Sequence, residues 1–299
     1  MTSHTTSTAA ASLGSSRQPG RRSNVLTLLM LAFLIYFLLP LFWLIVSATK
    51  DNGSLFSTFG LWFGGGFDFF QNLHDVFTHD GGIYGRWLLN TALYAVVSSV
   101  GAAFLATLGG YAFAKFRFPG RNLLFSIVLG SIMVPSTVLT LPTYLLFSKI
   151  GLVNTPLAVI VPMLMSPFGL YLMRVYAEDA VPDSLIDAAR MDGAGAIRIF
   201  WQVGFRLLLP GFVTVLLFQL VASWNNFFLP LIMLNNPKLY PMTIGLAQWQ
   251  AQAGGVGGAQ PLFSIVITGS LVSILPLVAA FLLLQRYWQG GLSTGSVKD

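Results

Sequence analysis

An all-α, polytopic membrane protein with six transmembrane helices is the fold class predicted for this 299-residue chain, on three observations. Hydrophobic residues make up 55% of it and charged residues only 9%, where a soluble domain carries about a quarter charged. Six apolar runs are long enough, at about 20 residues, to cross a bilayer. No Asp, Glu, Lys, Arg or His falls in the interior of any run. Cysteine is absent, which excludes disulfides, thiolate metal sites and cysteine nucleophiles. The net charge of +6 does not point to nucleic acid, because the basic residues are spread along the flanks of the runs, as membrane loops require.

Residues 1–24, rich in Ser, Thr and Ala with a basic end, are expected to be a disordered tail. The first span, Val25–Ser47 (25–47), is too long for a secretory signal core and is followed by no small-residue cleavage site, so it reads as a retained anchor. Residues 48–85 form a loop rich in Gly and Phe, whose aromatic rings are expected at the membrane interface. Residues 86–285 form the main transmembrane domain, with spans Trp87–Ala114, Asn122–Phe147, Pro156–Met173, Leu207–Leu234 and Leu262–Leu284. These are joined by a tight basic turn at 115–121, a short turn at 148–155, a longer loop at about 174–206, and a loop at 235–261 ending in a glycine-rich run. Residues 286–299 are a tail. Pro40, Pro135, Pro142, Pro230 and Pro276 lie inside spans, where each removes a backbone donor and bends its helix.

Of the 16 Lys and Arg residues, only Lys50, Arg86, Lys149 and Lys238 lie on the side away from the termini. The positive-inside bias therefore predicts both termini in the cytoplasm, together with the 174–206 loop. Proton relays and ion-coupled carriers place ionisable groups inside spans, and none is found there, so any driving energy is expected from outside the membrane. The chain contains no Gly-Lys dipeptide and hence no phosphate-binding G-x-x-x-x-G-K-[ST] loop. Two catalytic patterns are decoys: Gly291–Gly295 fits G-x-S-x-G without a strand–turn–helix setting or a neighbouring histidine, and Ser47–Lys50 fits S-x-x-K at the exit of the first span. His4, His74 and His79 are too scattered for a metal site. The chain is expected not to be an enzyme.

The stretch Val181–Gly193 is too short and too polar to span a bilayer. Pro182 suits a first helical position and Gly193 the residue just past a helix end. Leu185, Ala188 and Ala189 share one small apolar face, while Asp183, Asp187, Arg190 and Asp192 keep the rest in water. Helix physics leaves two readings open: an interfacial helix that merely closes the loop, or a handle for a partner. A second amphipathic piece follows, with Ala196, Phe200 and Val203 on one side. In the fifth span Gln219, Ser223 and Asn226 fall at i, i+4 and i+7 with Asn225 beside them. That stripe either lines a wet path or bonds neighbouring helices. Trp224 either stacks on a ligand ring or packs; Ser98, Ser99, Ser264 and Thr268 are weaker candidates.

The run Asp187-Ala188-Ala189-Arg190-Met191-Asp192-Gly193-Ala194, between spans four and five, resembles the EAA loop of binding-protein-dependent ABC transporter permeases. Further residues resemble the carbohydrate, maltose-type branch: Asn90-Thr91, Met133-Val134-Pro135, Pro142, Tyr144, Gly151–Thr155, Trp224-Asn225-Asn226-Phe227, Tyr240-Pro241, Gly245-Leu246 and Gln285-Arg286-Tyr287. The resemblance covers nearly the whole chain after residue 24. It implies a type I ABC importer permease fold in a bacterial inner membrane. It also implies four kinds of partner besides membrane lipid: an ATP-binding cassette ATPase dimer, a second homologous permease, an extracytoplasmic solute-binding protein and a sugar substrate. ATP and magnesium would belong to the ATPase, with no cofactor bound by this chain. By the same resemblance Leu185, Asp187, Ala188, Ala189, Asp192 and Gly193 couple to the ATPase, Gln252, Gly254, Gly255, Gly257, Gly258 and Gln260 meet the binding protein, and Gly291, Gly295 and Lys298 approach the ATPase; Gln219, Ser223, Trp224, Asn225 and Asn226 are the substrate-path candidates on their own polar pattern in the fifth span. Two positions depart from the family pattern: Asp187 replaces its leading Glu, and Arg206 stands where a proline is usual. The rival functions are a carrier or channel that needs no ATPase, a permease for a non-sugar solute such as a glycerophosphodiester, and a membrane scaffold.

Overall fold

The computed structural model describes residues 24–254 and 262–293. The expected disordered tail, apart from Asn24, therefore lies outside the described residues. The described chain divides into two units between Trp43 and Leu44. Helix α1 (Asn24–Ala48) carries no charged residue, and its last residues, Val46, Ser47 and Ala48, are buried in the second unit. At 1.5 Å per residue, its 25 residues extend about 37 Å, more than the roughly 30 Å hydrocarbon core.

The segment expected as a loop at 48–85 is largely built. It holds α2 (Asn52–Ser57), α3 (Phe69–Thr78) and a tight turn with left-handed Asp80, Gly81 and Gly82. Helix α4 (Ile83–Lys115) then runs 33 residues, ending in the basic turn. It is the spine of the molecule, packed chiefly against α8 (Pro167–Ala180) and α11 (Phe205–Trp224). Small residues at every fourth position, Ser98, Ala102, Ala106 and Gly110, are buried along it, so backbones approach closely. A Cβ at Gly110 would sit 2.6 Å from Cβ of Met173 and 2.7 Å from the Arg174 nitrogen.

The third predicted span is not a straight rod. Helices α5 (Arg121–Ile132) and α6 (Ser136–Lys149) meet at 105° across Met133–Pro135. Pro135 has no N–H to continue the ladder, and the last turn closes with tight bonds from Met133 N–H to Gly130 and Val134 N–H to Ser131. The fourth span is likewise divided, into α7 (Pro156–Met163) and α8, with Pro162 and Pro167 flanking the break and Ser166 Oγ capping α8 at Gly169 N–H. Beyond the predicted end at Met173, α8 continues seven residues to Ala180, because Met173 and Ala177 are buried and Arg174 pairs with Glu178 at 3.0 Å.

Past the basic end come α9 (Asp183–Met191), α10 (Ala196–Ile199), a π-helical turn Phe200–Gly204, and α11. From Ala196 to Trp224 these form one span. Arg206 therefore sits in an unbroken helix. The predicted fifth span to Leu234 stops short at Trp224; Asn225–Phe227 break it before α12 (Phe228–Met233). The loop expected at 235–261 contains α13 (Met242–Ala253), and α14 (Phe263–Ser293) carries the sixth span into what was expected as a tail. Among the described residues, five helices are long and apolar enough to cross a membrane, and six spans result if the bent α5–α6 pair is one of them.

Two cores organise the bundle. At the end opposite the basic turn, the rings of Trp87 and Trp249 lie 4.8 Å apart and Tyr84 stacks on Trp249. At the basic end, Tyr111, Met173, Ile186, Phe200 and Leu208 form a second cluster.

Candidate functional site

At the basic end, Val181 is extended and buried ahead of Pro182, which disfavours helix in the residue before it. The chain turns there, and α9 begins at Asp183. Its C-terminus is closed by Gly193 at φ +77°. Gly193 N–H donates to the Arg190 carbonyl at 2.9 Å and Ala194 N–H to Ala189 at 3.0 Å, the Schellman pattern that satisfies two otherwise free carbonyls.

The apolar face expected from Leu185, Ala188 and Ala189 divides. Leu185 and Ala188 are exposed, and Ala189 is half-buried against the basic-end core. The residue that anchors the helix is Ile186, buried in that core, which the sequence reading overlooked. Asp187 and Asp192 are exposed, and Asp187 pairs with Arg190 at 3.0 Å. Two further apolar side chains face outward: Met191, part of the EAA-like run, is 88% exposed, and Ile197, which no sequence motif singles out, is 78% exposed. Both lay in view as apolar residues beside Gly193, but periodicity does not say which apolar residues a short helix turns outward.

Charged contacts tie α9 to the spans. Lys115 Nζ lies 2.8 Å from Asp183 Oδ1, with the lysine side chain 8% and the aspartate 80% exposed. The hydrogen bond and charge of Lys115 hold the Asp183 carboxyl below its ordinary range. The pair is therefore fully formed at neutral pH, and its contribution is lost as pH falls through that depressed value. Next to it, Glu178 accepts from Arg174 at 3.0 Å and lies 3.9 Å from Arg121, and the Arg174 guanidinium sits 3.8 Å over the Phe125 ring. A cavity of about 220 Å³ opens beneath α9, walled by Tyr111, Phe116, Ile186 and Ile199 with Arg190 among its lining residues.

The polar residues of the fifth span gather at the helix breaks rather than along one face. Gln219 Nε2 donates to the Met163 carbonyl at 3.0 Å. Asn226 lies beyond the end of α11, with Nδ2 3.6 Å from Met163 Sδ, Oδ1 accepting from Leu229 N–H, and its carbonyl accepting from Thr243 Oγ1. Ser223 is buried with its hydroxyl unpartnered. Trp224 is buried and donates to the Ser273 carbonyl at 3.1 Å, a packing role. Asn225 is exposed and donates to Val221. Of the weaker hydroxyls, Ser98 and Thr268 are buried without partners, Ser99 bonds Val96, and Ser264 is held by Asn52. Asn90 donates to the carbonyls of Lys238 and Tyr240, and Thr91 Oγ1 accepts from Met242 N–H, so this pair staples the α13 approach to α4.

Gln252 is exposed at the end of α13, which Gly254 terminates. Gly255, Gly257, Gly258 and Gln260 lie outside the described residues, as do Gly295 and Lys298; Gly291 is within α14. Among the described residues no group of three or more His, Asp or Glu is placed to hold a metal ion.

Residues 104–289 match the family model described as "Binding-protein-dependent transport system inner membrane component". The chain is 32% identical over 279 residues to the arabinooligosaccharides transport system permease protein AraQ of Bacillus subtilis, covering 91% of this chain and 95% of that one. It is 32% identical to the osmoprotective compounds uptake permease protein GgtD of Synechocystis, covering 92% and 91%. It is 29% identical to the sn-glycerol-3-phosphate transport system permease protein UgpE of Pectobacterium atrosepticum, covering 85% and 90%. Its fold is that of a chain in the crystal structure of a bacterial ABC transporter involved in the import of the acidic polysaccharide alginate, with TM-score 0.78, 22% identity, and coverage of 88% and 95%.

Proposed function

The chain belongs to the family of binding-protein-dependent transport system inner membrane components, and from that premise we propose that it is a transmembrane permease subunit of an ATP-driven importer for a sugar or oligosaccharide. An extracytoplasmic solute-binding protein delivers the solute. A second, homologous permease completes the path, and a separate ATPase dimer holds the ATP and magnesium. Both termini and α9 face the cytoplasm, as the distribution of Lys and Arg supports.

The observation that carries this reading is the construction of α9. It presents Leu185, Ala188 and Met191 to solvent while Ile186 is locked into the core shared with α4, α8 and α11. A partner that grips the outer face therefore moves a close-packed unit, because interiors of this density transmit displacement rather than absorb it. The broken helices supply the joints: the breaks at Met133–Pro135, Leu164–Ser166 and Asn225–Phe227 allow bending without unzipping a whole span. Asn225, exposed at the end of α11, and Ser223, whose hydroxyl has no partner, offer amide and hydroxyl groups suited to sugar hydroxyls, while Gln219 and Asn226 are tied to Met163. No basic residue stands among them, which favours a neutral polyol over a phosphate ester or glycerophosphodiester. By family resemblance, Gln252, Gly254 and the following glycines reach the binding protein, and Gly291 with the terminal residues reaches the ATPase.

Reconstitution tests the reading. In proteoliposomes the chain with its second permease, ATPase and binding protein should accumulate radiolabelled oligosaccharide only with ATP inside. Equal uptake by the chain alone would make it an autonomous carrier and end the proposal.

A further inference from the structure

Between Asp51 and Asp68 lie sixteen consecutive residues without a charge, NGSLFSTFGLWFGGGF. Phe56, Phe59, Trp62, Phe63, Phe67 and Phe70 are all exposed, Trp62 by 65%. This is an ordered surface. Lys50, itself only 1% exposed, donates through Nζ to the Phe59 carbonyl at 2.9 Å. Asn72 Nδ2 donates to the carbonyls of Ala48 and Lys50. Asn52 both donates to Ser264 Oγ and accepts from Ser264 N–H, and Phe56 packs edge-on against Phe263 at 5.1 Å. The segment is thus clamped to the ends of α1 and α14. A contiguous apolar patch held open by such a clamp calls for a cover.

Position and chemistry identify the cover. Helix α1 is longer than the hydrocarbon core, so Ala48 emerges at the headgroup level and Phe56 follows eight residues later. Aromatic rings concentrate at that depth. A protein-docking patch is rimmed by polar and charged groups, whereas here both flanking acids are at the extreme ends of the segment. Asp51 is engaged in capping α2, where it accepts from Ser54 N–H at 2.9 Å.

We propose that residues 52–67 are a membrane-surface element, seated in the headgroup–acyl boundary of the leaflet opposite the basic end, with Phe56, Phe59, Trp62 and Phe67 immersed in phospholipid. The element gives the α1–α4 connection a fixed height against the bilayer, and its immersion rests on buried apolar area rather than on charge.

The cysteine-free chain allows a direct test. Phe59→Cys, Trp62→Cys and Phe67→Cys, made separately in the full-length chain with its co-purifying subunits, are spin-labelled in phosphatidylethanolamine–phosphatidylglycerol nanodiscs. The ratio of collision with oxygen to collision with a water-soluble nickel chelate should be several-fold higher at all three sites than at Lys238→Cys, on an exposed turn at the same end of the bundle. Nickel access at the three sites equal to that at position 238 overturns the proposal. So does shielding from both reagents that develops only when solute-binding protein is added, since the patch would then be a protein dock. Transport is not part of this readout, so its failure leaves the importer reading standing.

Discussion

Gly193, just past the end of α9, holds a left-handed backbone conformation that glycine adopts freely and a side chain would strain. A Cβ built there meets nothing within 4 Å, so a side chain would not collide with anything. The obstacle is φ of +77°, which costs a non-glycine residue roughly 1–2 kcal/mol and least for Asn. Gly193→Val is therefore expected to loosen the end of α9 and lower the ratio of uptake to ATP hydrolysis in proteoliposomes about 5–30-fold, with Gly193→Asn close to wild type. Equal ratios for the two variants would remove the cap from the coupling argument. The helix end at Gly193 was legible because glycine acts on its own backbone; the start was legible to within one residue, Pro182 standing extended just before the first helical position, Asp183. Ile186 was not. It stands next to Leu185, and only the position of Tyr111 and Phe200 decides which of the two faces inward. The same holds for Gln219 and Asn226, which meet at Met163, a residue 56 positions from the first.

At the scale of elements, α4 sets the packing through small residues, and a pair of alanine substitutions tests that. Gly110→Ala places a methyl group against the Met173 backbone, where α8 has no side chain to swing aside. It should cost about 1–3 kcal/mol and lower the thermal midpoint of the purified protein. Gly85→Ala, on the same helix but in open space, should be nearly neutral. Comparable losses at both positions would show that the close approach does not matter. Apolar run length marked the regions where the described residues hold five candidate spans and the bent α5–α6 pair, since hydrocarbon thickness sets the length of a crossing. Run length does not register a break, however. Two short helices at 105° have the same composition as one straight helix, and the prolines that mark the joints also occur in mere kinks. Helix α13 was read as a loop because its apolar residues follow no clear period; Trp249 settles it by packing on Trp87 and Tyr84.

For the whole molecule, the telling feature is exposed apolar surface. Leu123, Ile127, Met133, Val138 and Leu145 face outward from the bent α5–α6 pair. Under the proposed function, part of this surface would meet lipid and part a second permease. Thermal unfolding in detergent should shift upward by roughly 5–10 °C when the second permease is co-purified, as expected for a partner well above its dissociation constant. An unchanged midpoint would mean that the apolar faces serve lipid alone.

Composition and run length determined that this chain is a helical membrane protein with about six crossings, and charge placement indicated which loops share a side. These are properties of each segment against its solvent, and a segment carries them wherever it packs. The tertiary structure alone decided which side of α9 holds on and which side is offered, where the spans are jointed, and how the glycine- and phenylalanine-rich segment after α1 is clamped by a buried lysine. Each of those depends on atoms far apart in the chain meeting within a few ångströms, and local pattern carries no record of that distance.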